Sequence, residues 1–269
     1  MAVHPTAIVD PAARIGKNVE IGPYAVVEKN CTIGDNCWID AHAKVCEYTT
    51  VGEGTRIYYG ALVGTEPQDH RFVPGLRSFT EIGKNAVIRE YVTIHRSPFE
   101  DKVTRVGDGT LLMAFVHVGH DAQIGNRVTI ANQTAVAGHV IIEDGAVLSA
   151  CVLIHQFCRI GALAMISGRT NLGQDVPPYC MLAENCRVCG PNVIGMRRAG
   201  FTPETRLAIQ RAIKSYFFKN LNSTNALAEI EKSVMTPEVK HFADFIRSSE
   251  RGIMAGESEL AGFLFEDEL

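Results

Sequence analysis

The chain has 269 residues, 46% of them hydrophobic, and a formal net charge of −4. That length fits one large domain or a domain with an appendage, and the weakly acidic balance removes the electrostatic case for a nucleic-acid binder. The start, MAVHPTAIVDPAARIG, has no basic region followed by an apolar run, no stretch approaches 18 apolar residues, and the eight cysteines are scattered; the expectation is a cytoplasmic protein with neither signal peptide nor spanning helix, in a reducing compartment.

From Val3 onward an aliphatic residue returns every six positions: Val9, Ile15, Ile21, Val27, Ile33, Ile39, Val45, Val51, Ile57 and Val63. The beat breaks over 64–81, resumes at Ile82, Ile88 and Ile94, breaks again over 95–105, and then runs unbroken from Val106 to Leu172. None of these positions is polar. A helix would drift off a strict six-residue period and a plain strand alternates every two, so the period signals a repeat architecture. Two residues before each aliphatic stands a small or β-branched residue such as Ala25, Cys31, Thr55 or Val128, and a glycine often follows, as at Gly16, Gly34, Gly107 and Gly125. We read a parallel β-helix of triangular section, three hexads or 18 residues to a coil, with the glycines permitting the tight backbone of the corners. Residues 1–190 form this prism, and the two breaks project from it as loops; long insertions in a regular solenoid tend to be functional.

After Leu172 the beat fades. Gln174-Asp-Val-Pro-Pro-Tyr reads as the exit from the coil, Tyr179 to Gly200 as irregular, and Thr202-Pro203-Glu204 as a helix start. Asn222 to Val234 and Pro237 to Ile246 read as two further helices. Residues 191–269 are thus expected to be an α-helical C-terminal region covering the open strand edges at that end of the prism.

Residues 18 apart share a column on the prism. His120, Gly138 and Gln156 form one; Asp121, His139 and Phe157 form the next; His155 precedes Gln156. His120, His139 and His155 are therefore expected to gather within a few ångströms, with the bare backbone of Gly138 directly over His120. A positioned histidine is a general base near neutrality, Asp121 beside it fixes its tautomer, and a glycine N–H facing the same space stabilises an oxyanion. This set suits acyl transfer to a hydroxyl without a Ser or Cys nucleophile. Two other readings compete: zinc held by three histidines, as in hexapeptide-repeat carbonic anhydrases, and purely structural turn histidines, as expected of His4 and His42. Cys186-Arg-Val-Cys189 is a lone CxxC with no second pair, too little for a zinc site, while Cys31, Cys37 and Cys158 fall in the small inward slot and act as compact hydrophobes.

The segments Gln68-Asp69, IREYVTIHR (88–96), HVGHDAQIGN (117–126), IANQTAVAGHV (130–140), HQFCRIGA (155–162), QDVPPY (174–179) and RRAGF (197–201) together resemble the acyl-carrier-protein-dependent UDP-N-acetylglucosamine O-acyltransferases of lipid A synthesis, over nearly the whole chain. The resemblance implies a left-handed coil, a homotrimer with the site between adjacent prisms, an (R)-3-hydroxyacyl donor on acyl carrier protein, a UDP-sugar acceptor, and no cofactor. It implies His120 as the base on the sugar 3-hydroxyl, Asp121 as its orienter and Gly138 as the oxyanion donor. His117, His139, His155 and Gln156 would contact sugar and acyl chain, Asp69 and Arg71 the substrate from the first loop, and Asn192 and Arg198 the nucleotide end. Gly168 falls where the family measures acyl-chain length. Arg71 stands where the family usually has Lys, which keeps the charge and changes the donor geometry; Ile194 stands in place of Glu and Ala199 in place of a second Arg, both at the expected nucleotide end. Arg159, Arg169, Arg187, Arg197 and Arg198 are candidates for docking an acidic carrier protein. An N-acyltransferase acting on a 3-amino sugar remains as the rival within the same fold.

Overall fold

The computed structural model of the chain describes residues 2–257. Each hexad forms a two-residue strand, and the strands assemble into three parallel sheets of 11, 9 and 8 members, the largest ending in an antiparallel pair. Away from the insertions each strand pairs with the one 18 residues on: Leu111 with Thr129, His117 with Ala135, Gln123 with Ile141. The aliphatic slots point to the axis, and every one from Ile21 to Leu172 is buried. Each such side chain is worth roughly 1.5–3 kcal/mol, but only because a coil lies above and below it. The first coil has a neighbour on one side only, and there Val3 is 36% exposed and Val9 and Ile15 are half-buried. The small slots fill the gaps: Ala25, Cys31, Cys37, Ala122, Val128 and Cys158 are buried. At three threonine slots the hydroxyl donates to a turn carbonyl of the next coil, Thr55 to Gly83 (2.8 Å), Thr110 to Gly125 (2.8 Å) and Thr134 to Ser149 (3.0 Å), whereas the buried hydroxyls of Thr49 and Thr80, beside the first insertion, have no partner among the described residues.

The corners differ in one respect from the sequence reading. The left-handed residue of each corner lies two positions beyond the glycine: Asn18 after Gly16, Asn36 after Gly34, Asp121 after Gly119, Arg127 after Gly125. The glycines are required for close approach instead. A Cβ at Gly107 would stand 2.4 Å from the Gly125 carbonyl oxygen, and one at Gly119 2.8 Å from the Gly138 nitrogen. Backbones of successive coils run against each other there, and no side chain fits between them.

The insertions are shorter than 64–81 and 95–105. Strands Leu62–Thr65, Phe79–Ile82, Thr93–His95 and Val103–Val106 extend into both, and Phe79–Ile82 pairs with Val103–Val106 along its whole length. The six-residue beat marks only the inward residue of a strand, so it could not show where pairing continues without it. The column offset grows to 31 across the first insertion (Arg56 with Val87) and to 24 across the second (Val87 with Leu111).

The prism also runs past Gln174. Val176 bridges Ile160, Cys180–Leu182 adds to Met165–Ile166, and Val188–Pro191 closes the sheet antiparallel. Among the described residues four helices follow: α1 (Val193–Arg198), α2 (Pro203–Phe217), α3 (Ser223–Glu231) and α4 (Pro237–Arg247). Thr202, Asn222 and Thr236 cap the last three through their side chains, with proline in the first turn of α2 and α4. The short α1 falls in the stretch read as irregular; six residues with a central glycine carry no periodicity to detect. Ile209, Ile213, Phe242 and Ile246 join one buried cluster with Leu182 and Val188, so this end of the prism is covered where the other is open. The part of the expected helical region from residue 258 on lies outside the described residues.

Candidate active site

Asp121, His139 and Phe157 occupy the left-handed position of one prism edge in three successive coils (φ 60°, 60° and 67°), which places their side chains one over another. His120 precedes the lowest of them and is 6% exposed. Its ring lies beneath Gly138, where a Cβ would stand 2.7 Å from both Cε1 and Nε2. The glycine is thus a spatial necessity for this rotamer. Among the described residues no backbone carbonyl accepts the Gly138 N–H. His120 Nδ1 is 2.8 Å from Asp121 Oδ2, and Asp121 is anchored in turn by its own N–H, donated to Thr104 Oγ1 at 2.8 Å. The His139 ring meets His120 edge-on at 5.0 Å, stacks on Phe157 at 4.7 Å with 4° between the planes, and brings Nε2 to 3.8 Å from the same Asp121 Oδ2. Burial lowers the His139 pKa, against the pull of Asp121.

Both insertions arch over this edge. Asp69 of the first puts Oδ2 3.5 Å from His120 Nε2. Arg71 grips that carboxylate through Nε (3.0 Å), Nη2 (2.7 Å) and its backbone N–H (2.8 Å), which holds Asp69 well below the usual carboxylate range. The Arg71 guanidinium in turn lies over Phe99 of the second insertion, 4.8 Å from the ring centre, and Phe99 sits 6.4 Å from His139. A lysine at 71 has no planar fork for this grip.

His117 lies on the adjoining sheet face with Nδ1 2.9 Å from Thr93 Oγ1, and burial pushes its pKa down to about 4; it is a neutral hydrogen-bonding group at neutral pH. Beside it, 5.0 Å away, is His95, buried and with Nδ1 2.6 Å from the Glu66 carbonyl. His95 carries no signal in the 18-residue columns. It stands in the column of Gly119, Ala137 and His155, but the offset of 24 across the second insertion hid the alignment. Phe99 carries no sequence signal at all, since only the packing of two loops brings it near.

The structure brings His120 and His139 together but not His155. That residue is two coils above His120, about 10 Å at the strand spacing, because 36 residues make two revolutions and not one. It is exposed, with Nδ1 3.2 Å from the Gln156 carbonyl, and Gln156 is exposed beside it. His117 and His155 do share a mainly apolar cavity of about 570 Å³, lined also by Ala135, Ala137, Leu153 and Gly173. Gly168 is not in its lining; it packs on the Ala150 carbonyl one coil below. Asn192 also ties the fold together, its Oδ1 accepting from Gly195 N–H (2.9 Å) and its Nδ2 donating to the Leu163 carbonyl (2.7 Å); Arg198 is exposed at the end of the helix so capped. Of the arginines named for docking, Arg159 donates to Ser248 and lies over Phe245; Arg187, Arg169, Arg197 and Arg198 are exposed, Arg187 with a bond to the Gly256 carbonyl.

One set among the described residues brings metal-ligand atoms within 4.8 Å of each other: His120, Asp121 and His139. It is not the three-histidine set considered above. Its closest pair is a hydrogen bond between imidazole and carboxylate, the arrangement of a base and its orienter, which a cation would have to break.

Residues 175–254 match the family model described as UDP N-acetylglucosamine O-acyltransferase, domain 2, and residues 30–65 and 104–138 match the bacterial transferase hexapeptide repeat. An acyl-[acyl-carrier-protein]–UDP-N-acetylglucosamine O-acyltransferase of Ectopseudomonas mendocina is 46% identical over 255 residues, covering 94% of this chain and 98% of that protein. A protein of the same name from Synechocystis is 41% identical over 197 residues, 73% of this chain and 71% of that one. Among solved structures, a UDP-N-acetylglucosamine acyltransferase from Bacteroides fragilis superposes with a TM-score of 0.91 at 43% identity, covering 93% of this chain and 99% of that chain; the Arabidopsis enzyme of that name gives 0.83 at 33%, covering 94% and 99%. The prism is accordingly a left-handed parallel β-helix.

Proposed function

The chain belongs to the UDP-N-acetylglucosamine O-acyltransferase family, and from that premise we propose that it moves an (R)-3-hydroxyacyl chain from acyl carrier protein to the 3-hydroxyl of UDP-N-acetylglucosamine, the first step of lipid A synthesis. The observation that carries the reading is His120, tied at Nδ1 to Asp121 at 2.8 Å beneath the bare backbone of Gly138. The hydrogen bond to Asp121 keeps the proton on Nδ1 and leaves Nε2 as the basic nitrogen. Nε2 takes the proton of the sugar hydroxyl as its oxygen attacks the thioester carbonyl. The Gly138 N–H donates to the oxyanion that forms. Collapse expels the carrier-protein thiolate, which recovers the proton from His120. Asp69, 3.5 Å from Nε2, borders the space that the incoming hydroxyl must enter and serves to orient it. The cavity beside His117 and Leu153 suits an acyl chain, and exposed Arg169, Arg197 and Arg198 suit an acidic carrier protein.

We further place the enzyme in the cytoplasm as a homotrimer. Eight unpaired cysteines support a reducing compartment, and no described helix is long and apolar enough to cross a membrane. A file of exposed rings on a second prism edge, Tyr24, Tyr59, Tyr91 and Phe115, supports burial against neighbouring copies.

The test is an acyl-transfer assay on the purified protein with hydroxyacyl carrier proteins of several chain lengths, offering UDP-N-acetylglucosamine and its 3-amino analogue in parallel. The expected product is an ester, cleaved by mild base and identified by mass. Transfer to the amino sugar alone, giving a base-stable amide, overturns the acceptor; no transfer to either overturns the reading.

A further inference from the structure

The proposed mechanism employs His120, Asp121 and Gly138 and leaves the top of the same edge unexplained. Phe157 is 54% exposed and belongs to no hydrophobic core, yet its ring lies flat on His139 at 4.7 Å with 4° between planes. The alignment follows from the coil, because Phe157 and His139 hold the same corner conformation one revolution apart. Phe99 covers His139 from the loop side at 6.4 Å. His139 is thereby confined with its edge to His120 and with Nε2 3.8 Å from Asp121 Oδ2, the oxygen that His120 Nδ1 holds at 2.8 Å.

We propose that Phe157 is a positioning residue: its ring, stacked on His139, fixes that imidazole beside His120 and reserves the Asp121 carboxylate for the catalytic base. The two imidazoles compete for one carboxylate oxygen. A neutral His139 held at 3.8 Å is too far to win it; a protonated and mobile His139 would draw Asp121 away and leave His120 without its orienter. The largest influence on His139 is burial, to which the Phe157 ring contributes and which favours the neutral form; of the charged groups that bear on it, Asp121 and Asp69 favour its protonation, and His120 and Arg71 oppose it. Removing the ring admits water, raises the His139 pKa toward its ordinary value, and frees the imidazole to move.

The inference rests on the acyltransfer reading, so one readout is chosen that does not depend on turnover. In the full-length protein, NMR titration of His139 is expected to shift to higher pH in Phe157→Ala and to stay at the wild-type position in Phe157→Tyr. In the transfer assay, Phe157→Ala is expected to lower kcat about tenfold with the KM for the UDP-sugar within about twofold, to move the acidic limb of the kcat–pH profile upward, and to be rescued by Phe157→Tyr. Phe157→Leu, which keeps the bulk and loses the plane, provides the comparison if the alanine variant fails to fold, and is expected to fall between the two. An unchanged His139 titration, or a loss confined to KM, or a drop in kcat with no movement of the acidic limb overturns the proposal. If the wild type transfers no acyl group while His139 titrates as described, the acyltransfer reading fails and the positioning of His139 stands.

Discussion

Two edges of the prism have the same backbone and opposite uses. On one, the left-handed corner positions carry Tyr24, His42, Gly60, Tyr91 and Phe115, and their rings, with Tyr59, form a continuous file: Tyr24 on His42 at 5.1 Å, His42 to Tyr59 at 5.4 Å, Tyr59 to Tyr91 at 5.5 Å, Tyr91 on Phe115 at 5.2 Å. On the other, Asp121, His139 and Phe157 hold the equivalent positions. The coil stacks side chains in columns whatever they are. Aromatic residues in a column give a rib; an acid, an imidazole and a ring beneath two arching loops give a polarised base. The fold supplies proximity, and the residue types decide the chemistry.

The comparison breaks most sharply at His120. His120→Ala is expected to reduce transfer by about 10²–10⁴-fold with an unchanged melting temperature; near-wild-type turnover would remove the base assignment. Gly138→Ala follows, with a loss of about 10²-fold in kcat, because the new Cβ would lie 2.7 Å from the His120 ring. Its counterpart on the other edge is Gly60→Ala, where a Cβ would lie 2.7 Å from the Tyr91 ring at φ +65°. That variant is expected to lose about 1–2 kcal/mol of stability in thermal or denaturant unfolding while kcat per folded molecule stays within about twofold. A large loss of kcat there would show that the two edges are not separable. Arg71→Ala is expected to cost about tenfold in kcat/KM, since it frees Asp69 and uncouples the loops, and Arg71→Lys is expected to restore only part of it.

The smallest expected effect is on stability against pH. The folded pKa of His117 is about 4, below its unfolded value near 6.5. Above pH 6.5 both states are neutral there and nothing is lost. As pH falls from about 6.5 to about 4 the unfolded chain takes up a proton that the folded one refuses, so stability declines through that window and levels off below it. His95 and His139 act in the same direction. Melting curves of wild type and His117→Gln across this range check it; the variant is expected to show a shallower decline, and identical slopes would remove His117 as a contributor.

Much of the architecture was legible because the aliphatic slots repeat. Ile57, Ile130 and Ile154 needed no coordinates to be placed on the axis, and the 18-residue column put Gly138 over His120 directly. The legible part stops where the period stops. His155 lies farther from His120 than its column suggests, because columns give the edge but not the height, and a coil is a fixed rise. His95 is invisible to the column count because an insertion resets it, to an offset of 24. The corner glycines owe their place to the backbone of the next coil, which is not adjacent in sequence. The cap that Asn192 gives the following helix, and its bond to the Leu163 carbonyl, are tertiary contacts with no periodic signal.

By itself the sequence determined the beat, and hence the prism, its inward and outward faces, and the edge on which imidazole, carboxylate and bare amide meet; these are local periodic properties, written in every hexad. The tertiary structure alone decided how the two insertions fold back. Asp69 reaches His120, Arg71 lies over Phe99 and Phe99 approaches His139 only because two non-repeating segments pack on each other, and no period in the chain encodes that contact.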